Sequence, residues 1–441
     1  MNIYALSSGR GPSGIAIIRL SGKATTKIAK LITKQKEKNT REINLCKFYD
    51  PSNDSLIDEG LLLFFPSPNS FTGDDLAEFH VHGSNAVITQ FLKVLSEQSN
   101  CRLAEPGEFT KIAFQNNKID LLEAESIGDL IHSETELQRQ QAIKLVQGNA
   151  SDYYNNLREK LVKSLAYIEA QIDFAEDDLP DNVLKEVQMT IKEVHEDIKK
   201  ILNDNKIGEK IREGFRIAII GEANAGKSSL LNLLSKREAA IVSEEEGTTR
   251  DIIETYLNID GYPVILADTA GIREAKNEIE KKGISLALNK SKEADLTIIM
   301  IDNLSKTINN KIKDLINKDS IVLLNKSDIN DNQNHKFDAD TIMVSVKDNK
   351  NIDILIEKIK EKLSNNFTTN NSTLITRERH RVKLKDCLRE IDNFLKKDQN
   401  IDIELAAEDL RVATRCLGSI VGKVDVEEIL DSIFKDFCIG K

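Results

Sequence analysis

Phe215-Arg216-Ile217-Ala218-Ile219-Ile220-Gly221-Glu222-Ala223-Asn224-Ala225-Gly226-Lys227-Ser228-Ser229-Leu230-Leu231 decides the fold. A short apolar run enters a loop bounded by two glycines, and a helical pattern leaves it. Residues Gly221–Ser228 fit G-x-x-x-x-G-K-[ST] in the context that motif requires, after a strand and before a helix. The successive N–H groups of such a loop, set at a helix N-terminus, form a nest for phosphate oxygens. Lys227 is placed to reach the β and γ phosphates, and the Ser228 hydroxyl to ligate Mg²⁺. Asn224, Ala225, Gly226 and Ser229 complete the phosphate-contacting set.

Three further motifs follow in order. Asp268-Thr269-Ala270-Gly271 closes the apolar run Val264–Ala267. An Asp at a strand end can hold a metal through water, and the glycine N–H can bond a γ-phosphate. Asn325-Lys326-Ser327-Asp328 closes the run Ile321–Leu324 and fits N-K-x-D. The Asp328 carboxylate can accept from N1–H and the exocyclic amine of guanine, whereas adenine offers an acceptor at N1. The set therefore selects GTP over ATP. Ser345-Val346-Lys347 follows the next apolar run, Ile342–Val346, in the place of the remaining base-contacting loop. Between the phosphate loop and Asp268 lies Gly247-Thr248-Thr249-Arg250, where a threonine, assigned here to Thr249, completes the Mg²⁺ shell only when GTP is bound.

Around this block the texture changes twice. The 441 residues predict two to four domains. Residues 1–118 hold short apolar runs, Ile15–Leu20 and Leu61–Phe65, bounded by glycine and proline, which suits an α+β domain. Residues 119–212 carry helical stripes: Tyr154, Leu157, Leu161, Leu165, Ile168 and Ile172, then Val187, Ile191, Val194, Ile198 and Ile201. Residues 213–372 alternate buried-strand runs with helical stretches, the pattern of a doubly wound parallel sheet. Residues 373–441 are helical again. The expected architecture is α/β plus α, with the sheet domain inserted into a helical domain made of two segments. Five cysteines without a Cys-x-x-Cys pair exclude a disulfide scaffold, no apolar run reaches the ~18–20 residues of a membrane span, and no secretory signal opens the chain. A cytoplasmic protein with no membrane partner is expected. The net charge of −11 argues against a surface that grips nucleic acid everywhere. The cluster Arg377, Arg379, His380, Arg381, Lys383, Lys385 reads as a solvated helix face in preference to an RNA patch.

Taken together, these motifs resemble the MnmE/TrmE family of tRNA-modifying GTPases. The likeness extends beyond the nucleotide motifs to Ser70-Phe71-Thr72-Gly73-Asp74-Asp75 with Glu78, to Arg102-Leu103-Ala104-Glu105-Pro106-Gly107-Glu108-Phe109-Thr110, to Asp120-Leu121-Leu122-Glu123-Ala124-Glu125, and to Phe437-Cys438-Ile439-Gly440-Lys441. It covers essentially the whole chain. Two departures, Glu222-Ala223 where the family has Arg-Pro and Val346 where it has Ala, fall on positions that contribute mainly backbone.

The resemblance implies that residues 1–118 form a folate-binding and dimerisation domain. Arg19, Glu78 and Lys118, with Lys441, would hold a 5-formyl- or 5,10-methylene-tetrahydrofolate. It implies that Cys438 is tied to the modification chemistry, although a plainly packed cysteine is the alternative. Ile272 stands where Ras-like enzymes carry a water-orienting Gln, and the family's substitute, a downstream Glu, matches Glu280. Arg250 and Arg273 would order the switches, with surface charge as the other reading. A K⁺ ion would sit on Asn224, Ser243, Glu245 and Thr248, with Glu244, Glu246 and Gly247 in the same GTP-binding loop. The implied assembly is a homodimer joined by an FAD-dependent partner in a heterotetramer. Its implied reaction adds an aminomethyl-type (carboxymethylaminomethyl) group at C5 of wobble uridine in certain tRNAs, with GTP hydrolysis to GDP. A ribosome-assembly-type regulatory GTPase is the alternative that the nucleotide motifs alone leave open.

Overall fold

Alternation of apolar and polar residues along Ser13–Ser21 puts Ile18 and Leu20 on one face of a strand and Arg19 on the other. The computed structural model describes residues 1–441 apart from 10, 36–41, 174–182, 223, 238–239, 242–253, 268–292, 306–309, 330–336, 338, 366–373, 399–401, 425 and 436. It divides into two compact units, Met1–Gly128 with Leu145–Leu165 and Leu410–Lys441, and Asp129–Lys144 with Ala166–Asp409.

The first unit is built on six strands: β1 Asn2–Leu6, β2 Ser13–Ser21, β3 Asn44–Tyr49, β4 Leu56–Phe65, β5 Leu76–Gly83 and β6 Cys101–Leu103, in the order β3-β4-β5-β2-β1-β6. Among the described residues of this unit, only β1 and β6 pair in parallel. The helices Thr25–Thr33 and Asn85–Ser96 add Ile28, Ile32, Phe91 and Leu95 to the core face. Phe48, Phe79 and Phe91 meet with ring centroids 5.0–5.7 Å apart. Burying each such ring stabilises the fold by about 1.5–3 kcal/mol. On the opposite face the register sets Arg19 across from Glu78. A second core joins Leu121 and Ala124 to Val426, Leu430, Phe434 and Phe437. The Asp120 carboxylate accepts from Glu123 N–H (2.9 Å) while Glu123 accepts from Asp120 N–H (2.8 Å), a reciprocal cap that starts the helix Leu121–Ile131.

The second unit holds seven strands: β7 Phe215–Gly221, β8 Ala240–Ile241, β9 Glu254–Ile259, β10 Tyr262–Ala267, β11 Leu296–Asp302, β12 Ile321–Asn325 and β13 Asp340–Met343. Their order is β13-β12-β11-β7-β10-β9-β8. From β13 to β10 the pairing is parallel, and β11 and β12 are apolar nearly throughout because the sheet is covered on both faces. The α/β expectation stands with two amendments. The β10–β9–β8 edge is antiparallel, because Asp260-Gly261 joins Ile259 to Tyr262 through two residues at positive φ (49° and 91°), the geometry of a tight hairpin. The strand expected over Ile342–Val346 stops at Met343. After Val344 N–H bonds the Leu324 carbonyl, the chain turns through a bridge between Ser345 and Lys350, so Val344 and Val346 are buried by loop packing.

Both helical stripes form. Tyr154, Leu157, Leu161 and Ile168 are buried along Asn149–Asp173, with Leu165 and Ile172 half-buried, and Val187, Ile191, Val194, Ile198 and Ile201 are buried along Val183–Leu202. The helix Glu378–Lys396 packs on Val183–Leu202, and His195 Nε2 lies 2.8 Å from Asp392 Oδ1 across them. The basic cluster does not form a solvated face throughout. Arg381, 3% exposed, gives Nε–H to Glu209 (2.7 Å) and NH2 to Glu209 (2.6 Å) and Asp204 (2.7 Å). His380 is fully buried, and Arg377 pairs with Asp129 at 2.7 Å. Burial works against the Arg381 charge, and the two carboxylates more than offset it, raising its pKa. Removing this guanidinium strands Glu209 in the interior. Arg381→Met is therefore expected to lower the unfolding free energy of this unit by about 3–5 kcal/mol in urea titration; a change below about 1 kcal/mol would show that the network carries no such load.

Candidate nucleotide and folate sites

The loop after β7 is shaped by two residues at positive φ, Asn224 (63°) and Gly226 (105°). The Asn224, Ser228 and Ser229 side chains are exposed, and Ala225 is buried. Lys227 opens the helix Lys227–Arg237 and folds back, giving its ammonium to the carbonyls of Gly221 (2.9 Å) and Glu222 (2.8 Å). That satisfies two loop carbonyls and holds the positive charge over the loop. The Ser228 hydroxyl on the first turn suits a hard cation such as Mg²⁺.

Asn325, 5% exposed at the end of β12, has a role the motif alone does not reveal. Its Nδ2 donates to the Ala225 carbonyl (2.8 Å), and its Oδ1 accepts from Val346 N–H (3.1 Å). One amide thus ties the loop that follows β7 to the loop at Ser345–Lys347. A Cβ at Gly226 would lie 2.4 Å from Asn325 Nδ2, so glycine is required there for space as well as for its φ. Lys326, at φ 66°, swings its ammonium onto Asp302 at the end of β11. Burial resists the Asp302 charge, but Lys326 and the Leu304 N–H hold its carboxyl below the usual range. Asp328 is exposed with its carboxylate steadied by the Ser345 hydroxyl (2.8 Å), itself buried and accepting from Asp348 N–H (3.2 Å). Val346 is buried and Lys347 exposed beside it. Asn224, Ala225, Gly226, Lys227, Ser228, Asn325, Lys326, Asp328, Ser345, Val346 and Lys347 all stand at the carboxyl ends of neighbouring strands, on their last residue, the loops that follow or the first turn of the next helix, as ligand sites of open α/β sheets do. Ser243, Glu244, Glu245, Glu246, Gly247, Thr248, Thr249, Arg250, Asp268, Thr269, Ala270, Gly271, Arg273 and Glu280 lie outside the described residues.

In the first unit, Arg19 Nε donates to Glu78 Oε1 (2.8 Å), with side chains 19% and 15% exposed. The guanidinium lies 5.9 Å from the centre of the Phe71 ring, and His80 Nε2 is 3.6 Å from the other Glu78 oxygen. Lys441 completes the group. Burial first and the Arg19 charge second push its pKa down, while Glu78 and Cys438 pull it up. Lys441 is held through the backbone carbonyls of its segment, which accept from residues distant along the chain. Phe109 N–H donates to its carbonyl (3.2 Å), Gly107 N–H to the Cys438 carbonyl (3.4 Å), and the Ser7 hydroxyl to the Gly440 carbonyl (2.8 Å). Phe437 anchors the segment in the core, and the Cys438 side chain is exposed. Lys118 is not drawn into the Arg19–Glu78 pair. It is exposed and lies against the turn at Gly73, on the loop that carries Phe71. That loop is fixed by the Ser21–Thr72 hydroxyl contact (2.8 Å) and by Asn116 Nδ2 on the Thr72 carbonyl (2.7 Å). Phe71, Asn116 and Asp302 were not among the candidate site residues. Phe71 could have been found from the S-F-T-G-D-D segment, and Asp302 from its place at a strand end.

Two family models match. "GTP-binding protein TrmE N-terminus" covers residues 2–118, and "MnmE helical domain" covers residues 121–438. Among curated relatives, the tRNA modification GTPase MnmE of Pelagibacter ubique (strain HTCC1062) is 58% identical over 443 residues, spanning 100% of both chains. Those of Parvibaculum lavamentivorans (strain DS-1) and Rickettsia typhi (strain Wilmington) are each 44% identical, spanning 100% of this chain and 99% of their own.

Asn325→Ala removes both bonds of the loop tie and leaves the Ala225 carbonyl and Val346 N–H without this partner. At about 1–3 kcal/mol for each stranded group, GTP and GDP affinity measured by calorimetry should both fall by about 10-fold or more. Unchanged affinity would refute the tie.

Proposed function

The chain belongs to the family of the tRNA modification GTPase MnmE, and from that footing we propose that it binds and hydrolyses GTP in the service of tRNA modification. With an FAD-dependent partner in a heterotetramer, it adds an aminomethyl-type (carboxymethylaminomethyl) group at C5 of the wobble uridine of certain tRNAs, in the cytoplasm. A 5-formyl- or 5,10-methylene-tetrahydrofolate supplies the one-carbon unit, and residues 1–118 join two copies of the chain. The observation that carries the nucleotide half is the Asn325 tie, which sets the phosphate loop and the exposed Asp328 carboxylate at neighbouring strand ends.

In this reading Lys227 neutralises the β and γ phosphates. Ser228 with Thr249 would hold Mg²⁺, with Asp268 reaching it through water, and bound Mg²⁺ supplies charge neutralisation at the phosphate oxygens. Asn224 is the described member of the K⁺ oxygen set. Its exposed side chain at positive φ suits an ion contact beside the loop, where the cation would supply the charge that other GTPases draw from an arginine. Glu280 orients the attacking water, because the apolar Ile272 cannot. Arg250 and Arg273 order the switch segments around the bound nucleotide.

For the folate, the Arg19–Glu78 pair under Phe71 offers a cation, an acceptor and an aromatic face within one patch. That donor set suits a ligand with a pterin donor edge and a glutamate tail. Lys441 adds a second cation on the carboxylate-binding side, and Lys118 stands on the neighbouring turn for the tail. The exposed thiol of Cys438, one peptide before the segment's anchored bridge at Ile439, is accessible for the modification chemistry.

Three measurements test this. GTP hydrolysis in matched K⁺ and Na⁺ buffers should be faster in K⁺ by about 10³-fold or more, the scale of an arginine finger; equal rates would remove the cation from the account, and an unaltered Glu280→Ala rate would remove that residue. Calorimetry of the full chain should detect 5-formyl-tetrahydrofolate binding that Arg19→Ala and Glu78→Ala abolish; binding that neither variant weakens would rule out this patch as the folate site. Mass analysis of wobble nucleosides from a strain lacking this protein should show the C5 modification absent and restored by the parent chain; an unchanged nucleoside profile would overturn the tRNA assignment.

A further inference from the structure

The sequence cluster Arg377–Lys385 is not where this chain meets a polyanion over its full length: Arg381 and Arg377 are tied to Glu209, Asp204 and Asp129 and His380 is buried. A basic surface arises elsewhere, from residues that do not read as a cluster. Lys27 and Lys30 on the helix Thr25–Thr33 and Lys34 just after it recur at steps of three and four, so they share one side of the helix. At 1.5 Å rise per residue, the row runs about 10 Å. Together with Gln35, Gln98 and Asn100 they line an open groove of about 770 Å³, which has no acidic residue among its described walls. Apart from Ser99 its remaining lining is apolar, with Leu31 at 47% exposed.

Among the described residues, neither Lys27 nor Lys30 has an ion-pair partner. Lys34 pairs with Asp54 at 2.9 Å, but both side chains are open to water (42% and 77%), and an exposed pair of this kind is worth about 0–1 kcal/mol and exchanges readily. The Lys34 ammonium also stands 4.1 Å from the Tyr49 ring centre, which steadies the cation without neutralising it. On a chain of net charge −11, a polyanion is repelled in general and must be received at a local cationic row. The groove is open to solvent, which suits a backbone laid across it better than an enclosed small anion. Lysines supply point charges for phosphates, and the amides of Gln35, Gln98 and Asn100 supply neutral donors and acceptors for ribose hydroxyls.

We propose that this lysine groove on the first unit contacts the phosphate backbone of the tRNA substrate, in a manner independent of base sequence. The proposal rests on the tRNA-modifying reading above. It is tested with the full chain and an unmodified tRNA transcript, by fluorescence anisotropy at a series of KCl concentrations. The triple variant Lys27→Gln/Lys30→Gln/Lys34→Gln should bind about 10-fold or more weakly at low salt, and its plot of log affinity against log salt should be shallower by about 2–3. Replacing the same three residues by Arg should preserve both values, and GTP hydrolysis without RNA should keep the parent rate in both variants. Parent-like affinity and slope in the Gln variant would overturn the proposal. So would a loss that the Arg variant shares, which would mark a packing role. So would intact tRNA binding with loss of response to the flavoprotein, which would mark a protein docking surface. If the parent chain itself fails to bind tRNA at low salt, the tRNA-modifying reading falls with the groove; if the parent binds and the groove variants bind equally well, only the groove falls.

Discussion

The nucleotide site depends on one buried amide. Asn325 holds the Ala225 carbonyl with its nitrogen and the Val346 N–H with its oxygen. It sits at the carboxyl end of a fully buried parallel strand, so its own position is set by the sheet. Neighbouring choices follow from it. Gly226 leaves the space that the amide occupies, and Lys326 takes a left-handed backbone that turns its side chain to Asp302. Asp328 is then free to face solvent, with Ser345 fixing the direction of its carboxylate. The proposed phosphate loop and the proposed base-contacting loop would otherwise be independent surface segments. The amide couples their geometry, and a rigid pair loses less entropy when nucleotide binds.

The first unit solves a similar problem with backbone. The segment Phe437–Lys441 is held by an aromatic anchor and by carbonyls that accept from Ser7, Gly107 and Phe109. This delivers Lys441 to the Arg19–Glu78 pair across the whole length of the chain. The pair itself is a cross-strand neighbour set by register, and a one-residue slip would turn Arg19 into the core. Two cations stand beside one carboxylate, and burial first and the Arg19 charge second push the Lys441 pKa down.

Much of this was legible in the sequence because it rests on local rules. Apolar runs closed by glycine or by a motif residue gave β7, β10 and β12, and the stripes at three and four gave the long helices. The failures share one physical cause: they turn on partners that are distant along the chain. Val344 and Val346 look like strand because they are buried, yet loop packing buries them. Arg381 looks like surface charge until Asp204 and Glu209 are brought beneath it. The roles of Phe71 and Asn325 depend on which strands are neighbours. Asp260-Gly261 is different. It is a strong local hairpin signal flanked by β residues, and weighing it would have given the antiparallel edge in advance.

The central claim is that Asn325 positions and Asp328 reads the base. Asp328→Asn swaps an acceptor for a donor at the position facing the base's C2 substituent, where guanine carries an amine and xanthine a carbonyl. Competition binding of GTP and xanthosine triphosphate to the parent chain and this variant tests the claim most directly. The account predicts that the parent prefers GTP and that the variant reverses the order, by about 10-fold or more for a mismatched group that the bound base covers. The same preference for GTP in both proteins would contradict it.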